Sequence, residues 1–280
     1  MLQSLRAMVE LFGPRLDPDA VLDPDPEMVR LAVAALKVAK RYFRAEVHGL
    51  ERMPSGPALI VGNHNAGITS FEPFMLGLQW HLRTGGFLYF LGHDAMTALP
   101  LLGNALMRLG VIRASHAVAG RALASGKKVM VFPGGNYEAF RPFTQRHRVD
   151  FGRHVGYVRL ALRSGVPIVP VLCLGGHESF FVLCRGAALA RLSGARRLLR
   201  SDSFPLFLGM PWGVGVGPIF HLPLPAKLLV EVGEPLALEG YGPEAAEDRS
   251  AVEAISDRVQ QQIQAMMDRR VAQRRWPVLG

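Results

Sequence analysis

From residue 45 onward the chain repeats one pattern: a short apolar run, a break of glycine, proline or polar residues, then a longer amphipathic stretch. Ala58-Leu59-Ile60-Val61 and Ile168-Val169-Pro170-Val171-Leu172 are the clearest runs. Apolar runs this short, rich in β-branched and aromatic residues and bounded by turn formers, predict buried strands. They fall at residues 45–50, 58–61, 87–91, 110–112, 128–132, 168–172 and 228–232. Helical spacing of apolar positions predicts helices over 71–82, 101–108, 115–125 and 153–163, and a long one from 243 to 270. Strands alternating with crossover helices specify an α/β fold, with a largely parallel central sheet flanked by helices. Ligands of such sheets bind beyond the carboxyl ends of the strands. His64 and the turn Phe132-Pro133-Gly134-Gly135 both follow predicted strands, so the two can share one crevice.

Two regions depart from this pattern. Residues 1–13 and 27–44 predict helices, separated by a stretch over 16–26 whose prolines and aspartates favour turns and helix starts. In the second helix Met28, Leu31, Ala32, Ala35, Leu36 and Ala39 recur at helical spacing, while Arg30, Lys37, Lys40, Arg41 and Arg44 add positive charge. A basic amphipathic helix of this kind lies at a bilayer interface or packs on the domain with its charges in water. The chain thus divides into an N-terminal helical, membrane-associating segment over 1–44 and one domain over 45–280. The other departure is 186–225. Residues 187–200 repeat the basic amphipathic pattern, and 204–220 are apolar but studded with prolines and glycines, which excludes a simple spanning helix. A half-inserted hairpin, the wall of a lipid channel and a buried connection all fit. Gly213-Val214-Gly215-Val216-Gly217 is not read as a nucleotide loop, because it runs into Pro218 with no helix behind it.

Composition sharpens the partner. Of 280 residues 49 % are apolar and only 20 % charged, and the mean hydropathy is +0.18. Yet no uninterrupted apolar run reaches the roughly 20 residues of a spanning helix. That combination predicts a peripheral or monotopic membrane protein. The N-terminus lacks a basic stretch followed by an apolar one, so the cytoplasmic face is expected. A net charge of +9 favours polyanions, either nucleic acid or an anionic bilayer. The arginines interleave with Leu, Phe and Trp rather than with a nucleic-acid motif, so membrane lipids are the expected partner and nucleic acid is not. Cys173 and Cys184 sit in apolar contexts without metal-ligand spacing and read as core thiols in a reducing compartment.

The chemistry centres on Val61-Gly62-Asn63-His64-Asn65-Ala66-Gly67, which sets a histidine in a glycine-containing turn at the end of a buried strand. An α/β enzyme mounts a general base in such a place. Gly62-Asn63-His64, Gly110-Val111-Ile112-Arg113, Val131-Phe132-Pro133-Gly134-Gly135 and Val166-Pro167-Ile168-Val169-Pro170-Val171 then follow one another. In order and near spacing they are similar to the four blocks of the glycerolipid acyltransferase (lysophosphatidic acid acyltransferase-like) family. Over roughly residues 45–235 the chain resembles that family, as a divergent member with features of its diacylglycerol-type branch. The resemblance implies transfer of a fatty acyl group from acyl-CoA or acyl carrier protein to a hydroxyl of a lysophospholipid or partial glyceride. It implies no metal and no cofactor beyond that acyl-thioester co-substrate. A lipid hydroxyl is a poor nucleophile at neutral pH, so a neutral His64 would take its proton as it attacks the thioester carbon.

The resemblance further implies that Arg113 meets the acceptor's phosphate, a task suited to the two parallel hydrogen bonds of a guanidinium. Asn63, Phe132, Pro133, Gly134 and Gly135 would line the substrate, the glycines offering free N–H groups to a phosphate or oxyanion, with Arg141 a second anion contact. In the family an acid stands five residues after the histidine; this chain has Thr69 there. Glu72, the nearest downstream acid, takes the role of fixing the imidazole, with Asp94 in reserve. Thr69-x-x-Glu72 is also a capping box, which would give Glu72 a structural role instead. The third block carries Gly134 where the family has a glutamate, and Glu138 can replace it only if the loop curls back. His93, His116, His147, His154 and His177 have no partner spacing and read as surface or satisfied core residues. Neither a His-Glu-x-x-His metal signature nor a Gly-x-Ser-x-Gly elbow is present. A non-catalytic lipid-binding relative and an acyl thioesterase remain as competing functions.

Overall fold

The computed structural model describes residues 13–65, 67, 70–94, 100–192, 203–211, 213–217, 219, 222–276 and 278. The expected N-terminal helix and Thr69 lie outside the described residues. Ten strands are described: β1 Glu46–His48, β2 Ala58–Gly62, β3 Leu88–Gly92, β4 Val111–Arg113, β5 Lys128–Val131, β6 Ile168–Leu174, β7 Phe181–Cys184, β8 Leu206–Gly209, β9 Gly213–Val216 and β10 Leu229–Val232. Seven of them form the central sheet, in the order β1-β10-β6-β2-β5-β3-β4. Every predicted run supplies one of these seven strands. From β6 to β4 the neighbours pair in parallel, and only β10 runs antiparallel to β6. β2 and β6 are buried along their whole length, which is why their sequences read as unbroken apolar runs rather than alternating ones.

Helices cover both faces. α1 (Pro26–Tyr42) starts at Asp25, whose carboxylate accepts from the Glu27 and Met28 N–H groups, and it packs Leu36 and Ala39 on the core around Ile60, Met130 and Val230. α2 (Glu72–Thr84) buries Met75 and Leu76 in the same layer. On the opposite face lie α4 (His116–Ala124), α6 (Gly156–Ser164) and α9 (Arg249–Gln273), whose Val252, Ile255, Val259 and Ile263 pack with Leu59, Val61 and Leu172. The long helix expected from 243 is a 3₁₀ turn, Pro243–Ala246, followed by α9, because Asp248 caps a new start by accepting from Ser250 and Ala251. Shorter helices complete the set: α3 (Pro100–Met107), α5 (Gly135–Ala139), α7 (Gly176–Ser179) and α8 (Ala187–Leu192).

Within residues 186–225 lie strands that the sequence pattern leaves unassigned. Strands β7, β8 and β9 make a separate antiparallel sheet, and residues 193–202 lie outside the described residues. Val182, Phe207 and Gly215 pair across it and face inward; a Cβ on Gly215 would lie 2.2 Å from the Phe207 ring, so only glycine leaves that ring its place. Phe207 joins Phe140, Phe180 and Val182 in a small core of its own. Cys184 falls on the outward face and is exposed, correcting the expectation of two core thiols; Cys173, in central β6, is buried. No helix among the described residues is long and apolar enough to cross a membrane.

Candidate active site

The site forms where the chain leaves β2. Gly62 is required there, since a Cβ would come within 2.9 Å of the Phe132 ring. Beyond it Asn63 extends the sheet with its side chain: Nδ2 donates to the Cys173 carbonyl at 2.8 Å, and the Cys173 N–H donates to Oδ1 at 2.8 Å. Asn65 Nδ2 donates to the same carbonyl at 2.6 Å. Two buried asparagines thus pin the loop to β6 on either side of His64. Asn63, expected to touch substrate, is fully enclosed with both ends of its amide engaged, so its place is structural.

His64 itself is held by its backbone. Its N–H donates to Glu138 Oε2 at 2.9 Å and its carbonyl accepts from Arg141 Nη2 at 3.1 Å. Glu138 and Arg141 are a buried ion pair at 3.0 Å, with Glu138 Oε1 also accepting from the Asp150 N–H at 3.1 Å. On the ring, Nδ1–H donates to the Asn65 carbonyl at 3.0 Å, which assigns the lone pair to Nε2; that atom has no protein partner among the described residues. The Phe132 ring lies beside the imidazole, centroids 4.9 Å apart. Burial pushes the His64 pKa down to about 4; the Asn65 carbonyl opposes the shift, and the Arg141 charge adds to it. The imidazole is therefore neutral at physiological pH.

The acids sit differently from expectation. Glu72 is completely buried at the first position of α2; Ser70 Oγ donates to its Oε2 at 2.9 Å and Asn65 Nδ2 to its Oε1 at 3.3 Å. It orients the neighbour of His64 and bonds to neither ring nitrogen, because the start of α2 keeps its carboxylate beside Ser70 and Asn65. A backbone carbonyl fixes the tautomer in its stead. The cap position of α2 is Phe71, which makes no side-chain cap bond. Asp94, the reserve, binds Arg113 at 2.8 and 3.4 Å. Arg113 also donates to Asp19 at 3.1 Å, and the two carboxylates raise its pKa above the ordinary guanidinium value. In the protein its charge is matched by these two partly exposed carboxylates.

Arg141 is engaged likewise. Only 1 % exposed, it spends its guanidinium on Glu138, the His64 and Arg148 carbonyls, and Asn65 Oδ1 at 2.8 Å. Gly134 and Gly135 also have a different purpose. A Cβ on Gly134 would stand 2.3 Å from Glu138 Cγ, so the glycine leaves room for the Glu138 side chain, which does curl back through the single turn of α5. Gly135 takes φ +44°, and its N–H is not free but donates to the Phe132 carbonyl at 3.1 Å across the Pro133-Gly134 turn.

One residue escaped the sequence reading. His177, 2 % exposed, donates from Nδ1 to Asn65 Oδ1 at 3.0 Å, and its buried Nε2 has no partner among the described residues. Burial, with Arg141 and His64 nearby, holds its pKa well below 6.5, so it too is neutral. A signal existed: Gly175-Gly176 follows β6 as Gly134-Gly135 follows β5, and those strands flank β2 on either side. Both glycine turns therefore close on the His64 loop from the carboxyl ends of the sheet. Alongside α2, an apolar cleft runs between Phe74 and Gly77, Leu36 of α1 and Phe90 of β3. Among the described residues no group of three or more His, Cys, Asp or Glu side chains is placed to hold a metal ion.

His64 thus stands just beyond the carboxyl end of a parallel strand, where α/β sheets bind their ligands. The Acyltransferase family model matches residues 44–174, which contain the His64 loop, Arg113, the Glu138–Arg141 pair and all of β6. These residues carry an acyltransferase domain. The chain is 35 % identical over 240 residues to an uncharacterized protein of Mycobacterium tuberculosis, covering 84 % of this chain and 64 % of that one, so it spans a little under two thirds of the relative's length. To the "DGAT1/2-independent enzyme synthesizing storage lipids" of Gallus gallus it is 26 % identical over 191 residues, covering 68 % of this chain and 52 % of the relative. The crystal structure of the 1-acyl-sn-glycerophosphate (LPA) acyltransferase PlsC from Thermotoga maritima superposes with a TM-score of 0.50 at 17 % identity, over 93 % of this chain and 88 % of that one. That likeness shows a shared fold, an α/β arrangement with a mostly parallel sheet flanked by helices.

Proposed function

We propose that the protein is a membrane-associated O-acyltransferase that moves a fatty acyl group from an acyl thioester to the hydroxyl of a partial glyceride, with His64 as general base. The observation that carries this reading is the His64 tautomer: Nδ1–H on the Asn65 carbonyl, Nε2 without a partner among the described residues, the ring neutral. The acceptor hydroxyl donates its proton to Nε2 while its oxygen attacks the thioester carbonyl carbon. The tetrahedral intermediate collapses, the carbon–sulfur bond breaks, and the imidazolium returns the proton to the departing thiolate. No covalent enzyme intermediate is needed. The thiol belongs to coenzyme A or acyl carrier protein.

An uncharged acceptor is preferred for an electrostatic reason. The two arginines that the family pattern offers to a phosphate are already matched, Arg113 by Asp94 and Asp19, Arg141 by Glu138. A lysophosphatidic acid would have to displace carboxylates from Arg113, whereas a mono- or diacylglycerol asks nothing of it. The storage-lipid enzyme among the relatives agrees with this choice.

The test is product mass spectrometry after the purified protein, and its His64→Ala variant, meet long-chain acyl-CoA or acyl carrier protein with a panel of lysophospholipids and partial glycerides in micelles. A new glyceride that depends on His64 supports the reading. Acylated lysophosphatidic acid as main product would overturn the acceptor class. Free fatty acid alone would identify a thioesterase, and lipid binding without turnover a non-catalytic relative.

A further inference from the structure

The small sheet and the first helix carry a surface that the reaction does not use. On the outward face of β8 and β9, Leu208, Val214 and Val216 are 42, 63 and 46 % exposed. A sheet with one face in water normally places polar residues there. Met210, just after β8, bridges to Leu222, and these are 54 and 51 % exposed. Single exposed apolar residues are ordinary, but a paired set across neighbouring strands marks an interaction site. From Leu222 the surface continues to α1, since Tyr42 Oη donates to the Pro223 carbonyl at 2.8 Å and Arg44 to the Pro225 carbonyl at 2.8 Å.

There α1 presents Val38, 68 % exposed, between Lys37, Lys40 and Arg41. None of these three cations has a side-chain partner among the described residues, whereas Arg52, Arg163, Arg249 and Arg270 each stand on a glutamate. Both ends of the surface also border the catalytic loop. The Phe43 ring after α1 lies 4.9 Å from that of Phe71, beside Ser70 and Glu72, and Phe180 before β7 packs against Gly67.

We propose that the outer face of β8 and β9, continued through Leu222 to the basic end of α1, is where the protein lies on an anionic lipid bilayer. The apolar face needs hydrocarbon and the unmatched cations need anions; a bilayer with acidic headgroups supplies both on one surface. A second copy of this chain docked in the same way would set the cations against each other, and the net charge of +9 opposes such pairing throughout. The proposal rests on the acyltransferase reading for its purpose: it brings the His64 loop to the plane where partial glycerides reside.

Co-sedimentation of the full chain with vesicles tests it without turnover. Binding to phosphatidylcholine mixed with phosphatidylglycerol should exceed binding to phosphatidylcholine alone and weaken with salt. The triple change Leu208→Ser, Val214→Ser, Val216→Ser should weaken it by roughly tenfold or more. Lys37→Ala and Arg41→Ala should each cost about fivefold, on anionic vesicles only. Equal binding by wild type and all variants overturns the proposal, as does a wild type that ignores vesicles. A dimer in solution that the triple variant dissociates overturns it in favour of a second copy. Failure of acyl transfer with vesicle binding intact would sink the functional reading and leave this surface standing; turnover of a soluble short-chain acceptor without vesicle binding would do the reverse.

Discussion

The His64 loop and the outer face of the small sheet invert the usual partition of side chains in opposite senses. Around His64 the protein encloses Asn63, Asn65, Glu72, Glu138, Arg141 and His177, while on the sheet it leaves Leu208, Val214 and Val216 in the open. Burying polar groups costs free energy unless each is bonded, and exposing paired apolar residues forgoes burial. At the loop nearly every donor and acceptor is met, and the unpaired exceptions are Arg141 Nε and His177 Nε2. One region therefore holds a backbone rigidly around His64, whose Nε2 is left without a partner among the described residues. The other keeps its bonding capacity for something outside the chain.

The largest effect should come from the Nε2 of His64. His64→Ala is expected to lower kcat/KM by about 10²–10⁴-fold with the melting temperature and vesicle binding retained. Unchanged turnover would remove His64 from the mechanism. The pH profile sharpens this: a base works when unprotonated, and burial sets the His64 pKa at about 4 rather than 6.5. The acid limb of kcat/KM should therefore fall near pH 4, and a limb near 6.5 would mean that water reaches the imidazole.

Next comes the ion pair that grips the His64 backbone. Removing one partner of a buried pair strands the other charge, so Arg141→Met should destabilise the fold by about 3–5 kcal/mol in denaturant titration. Replacing both, with Glu138→Gln added, should recover much of that stability yet not the rate, because the His64 N–H and carbonyl would lose their charged anchors. Full recovery of the rate would reduce the pair to packing.

A smaller effect tests why Gly134 is glycine. An added methyl must displace Glu138, whose carboxylate is tied to His64, Arg141 and Asp150, so Gly134→Ala should cost about 1–3 kcal/mol and lower turnover. Gly135→Ala meets nothing within 4 Å and should cost less, from its positive φ alone. The opposite ranking would show that backbone conformation, rather than room for Glu138, shapes this turn.

These contrasts also explain what the sequence discloses. The central sheet was legible because β2, β6 and β10 are buried along their whole length and the strands alternate with helices of clear periodicity; His64 was legible because it follows one of those strands. The partners of His64 were not. Glu72 was assigned by its distance along the chain, but the tautomer is fixed by the adjacent Asn65 carbonyl, and backbone acceptors leave no mark in residue type. Arg113 and Arg141 looked free because a sequence does not show which carboxylates, one of them 94 residues away, will reach them. Strands β7 to β9 were hidden by prolines and glycines that serve packing, as Gly215 does for Phe207.

The smallest expected effect is that of changing Leu208, beside Phe207 on β8. Phe207 and Leu208 are adjacent and face opposite ways, the first fully buried and the second exposed. Phe207→Ala should cost about 3–5 kcal/mol, since it empties a cavity between Phe180 and Val182. Leu208→Ser should stay within about 0.5 kcal/mol in the isolated protein, where its side chain already meets water. Added anionic vesicles should raise the wild-type melting temperature, because a ligand that binds only the folded state stabilises it, and should raise that of Leu208→Ser less. If Leu208→Ser were as destabilising as Phe207→Ala without any vesicle present, the outer face would be covered by the protein itself, and the contrast between the two regions would fail.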